Sequence, residues 1–232
     1  MIDVSVFKEF NQPSELEAAL SQKIASQLQA AVDTNGSASL LVSGGNTPKA
    51  LFQALSNIAI DWQDVFVTLV DERWVPNTDA ASNEKTVREN LLQNKAATAK
   101  FRPLVNMFET PEQGLQMVTE SLSNLPQPFD VVVLGMGNDG HTASWFPCCE
   151  QVDECFDTDA LLLATHPTTA PNARITFSAS AILKAKQIYL HIVGQEKLDV
   201  YNQAISDKDI KTMPIRAVLN QKAAPVDVYW SA

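Results

Sequence analysis

The stretch FDVVVLGMGNDGH, residues 129–141, decides the fold class of this chain. After Phe129 and Asp130 it continues with four consecutive apolar residues, 131–134, and changes at Gly135 to glycine and polar residues. A strand that is apolar at consecutive positions is buried on both faces, which is typical of a parallel sheet covered by helices. The stretch therefore predicts an inner strand that ends in a glycine-rich turn carrying His141.

The same pattern recurs on both sides of this stretch. Strands are predicted at residues 4–7, 39–43, 65–70, 161–164, 174–177, 188–193 and 226–230, and helices lie between most of them. This alternation predicts an α/β fold with a mainly parallel sheet flanked by helices on both faces. No repeat, low-complexity segment or linker interrupts the pattern, so residues 1–232 are predicted to form a single domain.

Three predicted helices begin at residues that typically cap helices. Ser14, with Glu17 three residues later, forms a capping-box pattern before a long amphipathic helix. Thr47 is predicted to cap the next helix, with Pro48 as its first residue. Ser82 is predicted to open a third.

Composition narrows the class of function. The net charge of −10 argues against nucleic acid and anionic membranes as partners. The chain has neither a long apolar segment nor an N-terminus typical of a signal peptide, so a cytoplasmic location is expected. Three cysteines without a CxxC pair are expected to be reduced thiols, and three histidines do not form a zinc pattern. Neither a metal nor a cofactor is therefore expected.

Three predicted strands end in residues that are unusual for plain turns. These ends are Ser43-Gly44-Gly45, Asp71-Glu72-Arg73 and the turn at residues 135–141. Ligands of parallel α/β sheets bind beyond the carboxyl ends of the strands. The three segments are therefore predicted to meet in one site.

The first of these segments suits a phosphate group. Its glycines allow the backbone to approach a ligand closely, and the following helix start attracts anions. The residues predicted to bind are Ser43, Gly44, Gly45, Asn46 and Thr47. The spacing is not that of a nucleotide-binding P-loop, and a plain strand-to-helix turn is the alternative.

Two basic residues elsewhere in the chain are candidates for binding the same phosphate group. Arg174 stands at the start of an apolar strand, and Lys197 lies near the start of a helix. A cation at a helix start is unfavourable because it opposes the helix dipole. A bound anion would explain why a lysine stands at this position, although simple solvent exposure explains it equally well.

The other two segments carry groups suited to catalysis. His141 is a candidate general base because imidazole titrates near neutral pH, although a histidine that caps a turn is the alternative. Asp71 could orient a catalytic group or a substrate hydroxyl, and Arg73 could hold an anion. A salt-bridged strand end is the alternative for both. Of the other histidines, His191 is predicted to be a core residue and His166 a loop residue.

The glycines of residues 135–140 also match the dinucleotide pattern GxGxxG. That motif needs a long helix after the glycines, and Pro147 leaves too few residues for one. A nicotinamide-dependent oxidoreductase is therefore disfavoured.

At these segments the chain resembles the 6-phosphogluconolactonase family. The matching motifs are SGGNTP, VDERWVP, LGMGNDGHTASWFP, PNARITF and GQEK, which span residues 43–197 in the order found in the family. The resemblance implies a fold similar to that of sugar-phosphate deaminases and ribose-5-phosphate isomerases. It also implies hydrolysis of 6-phospho-glucono-1,5-lactone to 6-phosphogluconate in the oxidative pentose phosphate pathway, without a metal. The partner is then a small sugar-phosphate lactone.

The resemblance also assigns roles to residues of this chain. It makes His141 the catalytic base and places Asp71 and Arg73 in the site, while Arg174 and Lys197 join the glycine turn in binding phosphate. Gly137 of the glycine-histidine turn is expected to contact the substrate. Trp145 and Cys148 depart from the family pattern, so the shape of the site's rim is where this chain is expected to differ.

Two other functions remain as alternatives on a similar fold. An amino-sugar phosphate deaminase or isomerase would carry a glutamate shortly after the histidine, and residues 142–146 contain none. A non-enzymatic sugar-phosphate sensing domain would normally be joined to a basic DNA-binding segment, which this acidic chain does not show.

Overall fold

Ten strands and eight α-helices occur over residues 5–232, which are the residues that the computed structural model describes. Val4, the first residue of the first predicted strand, lies outside them. The strands are β1 (Ser5–Phe10), β2 (Ala38–Val42), β3 (Val65–Leu69), β4 (Asp71–Arg73), β5 (Lys100–Phe101), β6 (Val131–Leu134), β7 (Leu162–Thr165), β8 (Arg174–Phe177), β9 (Ile188–Val193) and β10 (Val226–Ser231). The helices are α1 (Pro13–Asn35), α2 (Lys49–Ser56), α3 (Asn83–Asn90), α4 (Pro111–Ser121), α5 (Val152–Asp157), α6 (Ala179–Ile182), α7 (Gln195–Ile205) and α8 (Arg216–Leu219).

The main sheet has seven strands in the order β1-β10-β9-β6-β2-β3-β5, and all its neighbouring strands run parallel. Every residue of β2 and β6 is buried. Because successive side chains point to opposite faces, such strands are covered on both sides. The predicted α/β class and the parallel sheet are thus confirmed.

A second, smaller sheet was not predicted from the sequence. It has the order β4-β8-β7, and its pairs are antiparallel. The chain enters it one residue after β3, because only Val70 separates β3 from Asp71. The polar segment at residues 71–73 is therefore a strand of its own, and it pairs Arg73 with Arg174.

The predicted helix caps give a mixed result. Helix α1 begins at Pro13 after Gln12, so Ser14 lies inside the helix and the predicted capping box is wrong. Pro48, not Thr47, occupies the position before α2, and no side chain caps it. The prediction for Ser82 is confirmed, since its side chain accepts a hydrogen bond from the Lys85 N–H.

Helix α1 is the longest helix of the described chain, with 23 residues, and it packs one apolar stripe against the sheet. The buried stripe contains Leu16, Leu20, Ile24, Leu28 and Val32. Its other faces are polar, and no helix within residues 5–232 is both long and apolar enough to cross a membrane.

Candidate active site

One open cavity of about 230 Å³ lies at the carboxyl edge of the main sheet, beside the second sheet. Its lining includes every residue predicted for the site, namely Ser43, Gly44, Gly45, Asn46, Thr47, Asp71, Arg73, Gly137, His141, Arg174 and Lys197. Asn83 and His191 line it as well. The three segments therefore line one cavity, as predicted, while the role of each residue stays a prediction.

His141 is held by an aspartate of its own turn. Its Nδ1 lies 2.6 Å from Oδ1 of Asp139, and its backbone N–H donates to the same oxygen at 3.1 Å. Burial alone would raise the pKa of Asp139, but the hydrogen bond and charge of His141 hold that pKa below its ordinary value. With Nδ1 engaged by a carboxylate, Nε2 is the ring nitrogen left for chemistry in the cavity.

The ring plane of His141 is fixed by two further neighbours. The Phe146 ring stacks on it, with centroids 4.1 Å apart and an interplanar angle of 23°. In addition, a Cβ atom at Gly137 would lie 2.1 Å from Nδ1 of His141. Only glycine at residue 137 therefore allows the imidazole to occupy this position.

Asp71 does not hold His141. Its Oδ2 accepts a hydrogen bond of 2.5 Å from Oγ of Ser144 and lies 3.9 Å from Nη1 of Arg174. Of the two roles that the sequence left open for Asp71, orientation of His141 is therefore excluded by the geometry, because Asp139 does this instead.

Two arginines face each other across the second sheet. Arg73 and Arg174 are directly paired in the antiparallel register, an arrangement that costs stability for like charges. Within the described residues, Nε of each guanidinium is buried without a hydrogen-bond partner. Burial lowers the pKa of Arg174, and the charge of Asp71 acts in the opposite direction. Negative charge on a ligand in the cavity would offset the repulsion between the two guanidinium groups.

The glycine turn after β2 rests on α3. A Cβ atom at Gly44 would lie 2.1 Å from Oδ1 of Asn83, so only glycine fits there. The Asn83 side chain donates to the backbone carbonyl of Asp71 at 3.0 Å and thereby ties the turn to β4. Gly45 has φ +93°, a left-handed conformation that favours glycine.

Lys197 reaches the cavity from the first turn of α7. Its Nζ donates a short hydrogen bond to Oδ1 of Asn138 in the histidine turn. Burial lowers the pKa of Lys197, while the charges of Glu196 and Asp139 act to raise it. The cavity thus collects three basic side chains in a chain whose net charge is −10.

Several backbone N–H groups of the histidine turn already have partners within the protein. The N–H of Gly135 donates to Oγ of Ser43, that of Gly137 to the carbonyl of His141, and that of Gly140 to the carbonyl of Gly137. These three donors are therefore not free to bind a negatively charged oxygen of a ligand.

Other residues singled out in the sequence lie outside the cavity lining. His166 is exposed and pairs with Glu112. Trp145 is fully buried and donates to the carbonyl of Phe177, so it belongs to the core and not to the rim. Cys148 is partly exposed and contacts Thr169. No group of three or more His, Cys, Asp or Glu side chains within residues 5–232 is placed to hold a metal ion.

The sequence reasoning missed three residues of the site. Asp139 could have been found from its position two residues before His141, since that spacing allows one turn to present both side chains. Asn83 follows the VDERWVP motif in the family pattern but was given no role, and His191 was predicted to be a core residue; packing of distant segments brings both to the cavity.

Comparisons with known proteins agree on the family and the fold. The profile of the family glucosamine-6-phosphate isomerases/6-phosphogluconolactonase matches residues 11–230. A 6-phosphogluconolactonase of Rhizobium meliloti is 43% identical over 224 residues, which cover 96% of this chain and 97% of the relative. The crystal structure of a 6-phosphogluconolactonase from Shewanella baltica is 62% identical, with a TM-score of 0.98 over 100% of both chains. A monomeric glucosamine-6-phosphate deaminase, 16% identical, shares the fold with a TM-score of 0.78 over 96% of both chains.

Proposed function

Since the chain belongs to the glucosamine-6-phosphate isomerase/6-phosphogluconolactonase family, we propose that it opens the ring of 6-phospho-glucono-1,5-lactone with His141 as general base. Its activity is that of a 6-phosphogluconolactonase, the name carried by relatives that are 43% and 62% identical to it. The product is 6-phosphogluconate, formed by addition of one water molecule. The assignment of roles to single residues is part of the proposal.

The observation that carries the mechanism is the pair formed by His141 and Asp139. The carboxylate accepts a hydrogen bond from the N–H at Nδ1, which leaves Nε2 as the base for the cavity. It also stabilises the imidazolium that forms when Nε2 takes a proton from water. The resulting hydroxide attacks the lactone carbonyl.

Arg73 is the proposed partner of the oxyanion that forms at this carbonyl. Arg73 lines the cavity, whereas three N–H groups of the histidine turn are already engaged. A preorganised cation near a developing negative charge lowers the barrier. When the tetrahedral intermediate collapses, the ring oxygen leaves and takes the proton from His141, which restores the base.

The phosphate group of the substrate is proposed to bind to the turn at residues 43–47, Arg174 and Lys197. This set combines a glycine turn before a helix with two cations, which is a common way to hold a phosphate. Gly137 would contact the sugar beside the base, and Asp71, which accepts from Ser144 and lies near Arg174, is left to accept from a substrate hydroxyl or to balance Arg174.

The proposal is tested by hydrolysis of freshly prepared 6-phosphogluconolactone, measured above its spontaneous rate. General base assistance contributes about 10²–10⁴-fold. We therefore expect His141→Ala to lower kcat by about that factor while its thermal unfolding stays close to that of the wild type. His166→Ala, which changes an exposed histidine outside the cavity, is the matched control and should keep full activity.

Each alternative outcome has a defined meaning. A folded His141→Ala variant with near-normal turnover would exclude His141 as the base. If the folded wild type does not accelerate lactone hydrolysis but releases ammonia from glucosamine 6-phosphate, the deaminase alternative replaces the lactonase. Binding of the sugar phosphate without either reaction would indicate a sensing domain.

A further inference from the structure

The first turn of α7 and the histidine turn (residues 135–141) are joined by the side chain of Asn138. Its Oδ1 accepts a hydrogen bond from Nζ of Lys197, and its Nδ2 donates to Oε1 of Glu196 at 2.5 Å. Asn138 is exposed, whereas Lys197 lines the cavity. The mechanism above uses Lys197 but gives no role to Asn138, although the ammonium group contacts this amide.

The amide of Asn138 is oriented by Glu196. A carboxylate only accepts hydrogen bonds, so it pairs with the amide nitrogen and leaves the amide oxygen for Lys197. Two nearby acids, Glu196 and Asp139, act on Lys197 through their charges. Both have other partners, since Asp139 pairs with His141 and the amide engages Glu196. The ammonium group is thus held by a neutral oxygen, which fixes its position without removing its charge.

Residues 138 and 139 hold two groups that act on different parts of the substrate in the proposed mechanism. Asp139 orients the base His141, and Asn138 holds Lys197, the proposed ligand of the phosphate group. Because the two holding residues are adjacent in the chain, they set the position of the cation relative to the base. A lysine side chain is long and flexible, and ordering it before the ligand arrives lowers the entropic cost of binding.

We propose that Asn138 is a positioning residue whose neutral amide holds Lys197 in place for the phosphate group of the substrate, and that it thereby sets affinity rather than turnover. The inference rests on the proposed function, because it takes Lys197 to bind that phosphate group. The amide oxygen also gives the ammonium group a partner at the start of α7, where the helix dipole disfavours a cation.

The first test is Asn138→Ala, in which the ligand itself must order the lysine side chain. KM for the lactone and the dissociation constants of 6-phosphogluconate and inorganic phosphate should therefore rise about three- to tenfold. The effect should lie in KM and not in kcat, because Asp139 still holds His141. Asn220→Ala, the matched control at an exposed asparagine that donates to a backbone carbonyl, should bind 6-phosphogluconate like the wild type.

Asn138→Asp tests whether the partner of Lys197 must be neutral. Aspartate keeps an oxygen for the ammonium group, but its charge repels both Glu196 and a phosphate group bound at Lys197. Affinity for 6-phosphogluconate should fall at least as far as in Asn138→Ala. Wild-type affinity in either variant would overturn the proposal. Tighter binding would overturn it as well, since Asn138 would then compete with the ligand for the ammonium group.

A double-mutant cycle shows whether Asn138 acts through Lys197. Lys197→Met keeps a long stem but removes the charge, so it should weaken the binding of inorganic phosphate and of 6-phosphogluconate. In this background the further change Asn138→Ala should alter either dissociation constant by less than about twofold. An equal loss of affinity from Asn138→Ala in both backgrounds would show that Asn138 acts by another route, and the proposal would be wrong.

The same cycle separates this inference from the proposed function. If Lys197→Met binds inorganic phosphate and 6-phosphogluconate like the wild type, the phosphate site of the proposed function is wrong. If Lys197→Met binds weakly while Asn138→Ala binds like the wild type, the phosphate site stands and only the role of Asn138 is refuted. Thermal unfolding close to that of the wild type, as expected for substitutions at exposed residue 138, shows that each loss is one of binding.

Discussion

At the scale of single residues, the geometry of the site depends on what surrounds His141. Asp139 fixes the tautomer, Phe146 fixes the ring plane, and the missing side chain of Gly137 leaves the space that the ring occupies. All four residues belong to one short segment of chain. The surroundings of the proposed base are therefore supplied by its own segment of the chain.

Removal of the charge at residue 139 should weaken catalysis without removing the base. In Asp139→Asn the imidazolium loses its counter-charge and the tautomer is no longer enforced, so we expect kcat to fall by about ten- to a thousandfold with little change in KM. Steady-state kinetics on the lactone measure this. Asp153→Asn, which makes the same change in an exposed pair with Lys211, should leave kcat as in the wild type. A kcat in Asp139→Asn equal to that of the wild type would show that orientation by Asp139 is dispensable.

A methyl group at residue 137 should displace His141. The added Cβ would lie 2.1 Å from Nδ1 of His141 and 2.6 Å from Oδ1 of Asp139, so the pair must separate. We expect Gly137→Ala to lower kcat more than tenfold while thermal unfolding shows a folded protein. Gly135→Ala, whose added methyl meets no protein atom within 4 Å, is the folding control and should retain its melting temperature. A kcat in Gly137→Ala equal to that of the wild type would mean that His141 tolerates the shift.

At the scale of secondary structure, the short strand β4 joins the catalytic and anion-binding parts of the cavity. Its three residues alternate in role: Asp71 and Arg73 line the cavity, and Glu72 points to the start of α3. The Glu72 carboxylate accepts from the N–H groups of Asn83 at 2.8 Å and Glu84 at 2.7 Å. A buried carboxylate at a helix N-terminus pairs with N–H groups that the helix leaves free.

Loss of this carboxylate should destabilise α3 and its contact with the glycine turn. An amide nitrogen in Glu72→Gln cannot accept from a backbone N–H, so at least one buried charge-assisted hydrogen bond is lost. We expect the free energy of unfolding to fall by about 2 kcal/mol. Urea unfolding followed by tryptophan fluorescence measures it, with Glu89→Gln on the exposed face of α3 as the matched control. A change in Glu72→Gln no larger than in that control would refute this role.

At the scale of the whole molecule, charge is distributed unevenly. The chain carries a net charge of −10, yet the cavity is lined by Arg73, Arg174 and Lys197. Acidic groups elsewhere favour solubility and repel other polyanions, while a local cluster of cations attracts one small anion. The main sheet also buries His191, and the titration of its imidazole links this burial to the stability of the fold.

Acid should destabilise the protein partly through His191. Burial lowers its pKa from 6.5 to about 4, so the unfolded chain binds more protons than the folded chain between these values. The contribution to stability is therefore complete above about pH 6.5 and is lost as the pH falls toward 4. Between pH 7 and 4.5 the free energy of unfolding should fall by about 2–3 kcal/mol more in the wild type than in His191→Phe. Urea unfolding at the two pH values measures the difference, and identical pH slopes in the two proteins would contradict it.

Much of this molecule is determined by the sequence alone. The apolar strands and the helices between them predict the parallel sheet, because burial on both faces favours apolar residues at consecutive positions. The rule that ligands bind at the carboxyl ends of such strands then places residues 43–47, 71–73 and 135–141 together. For His141 the local sequence was also enough to identify a candidate site residue, since a glycine-rich turn can present a side chain without help from distant segments.

Only the tertiary structure decided which side chains touch. Ser14 and Thr47 have the residue types of helix caps, but Pro13 and Pro48, each with its fixed φ, set the local backbone at the two helix starts. The sequence could not show that residues 71–73 form a strand paired with β8, because a three-residue polar segment carries no periodic signal. That pairing places Arg73 opposite Arg174, and the register of β9 places His191 beside Gly135. Such contacts join residues far apart in the chain, and they depend on packing that no local pattern encodes.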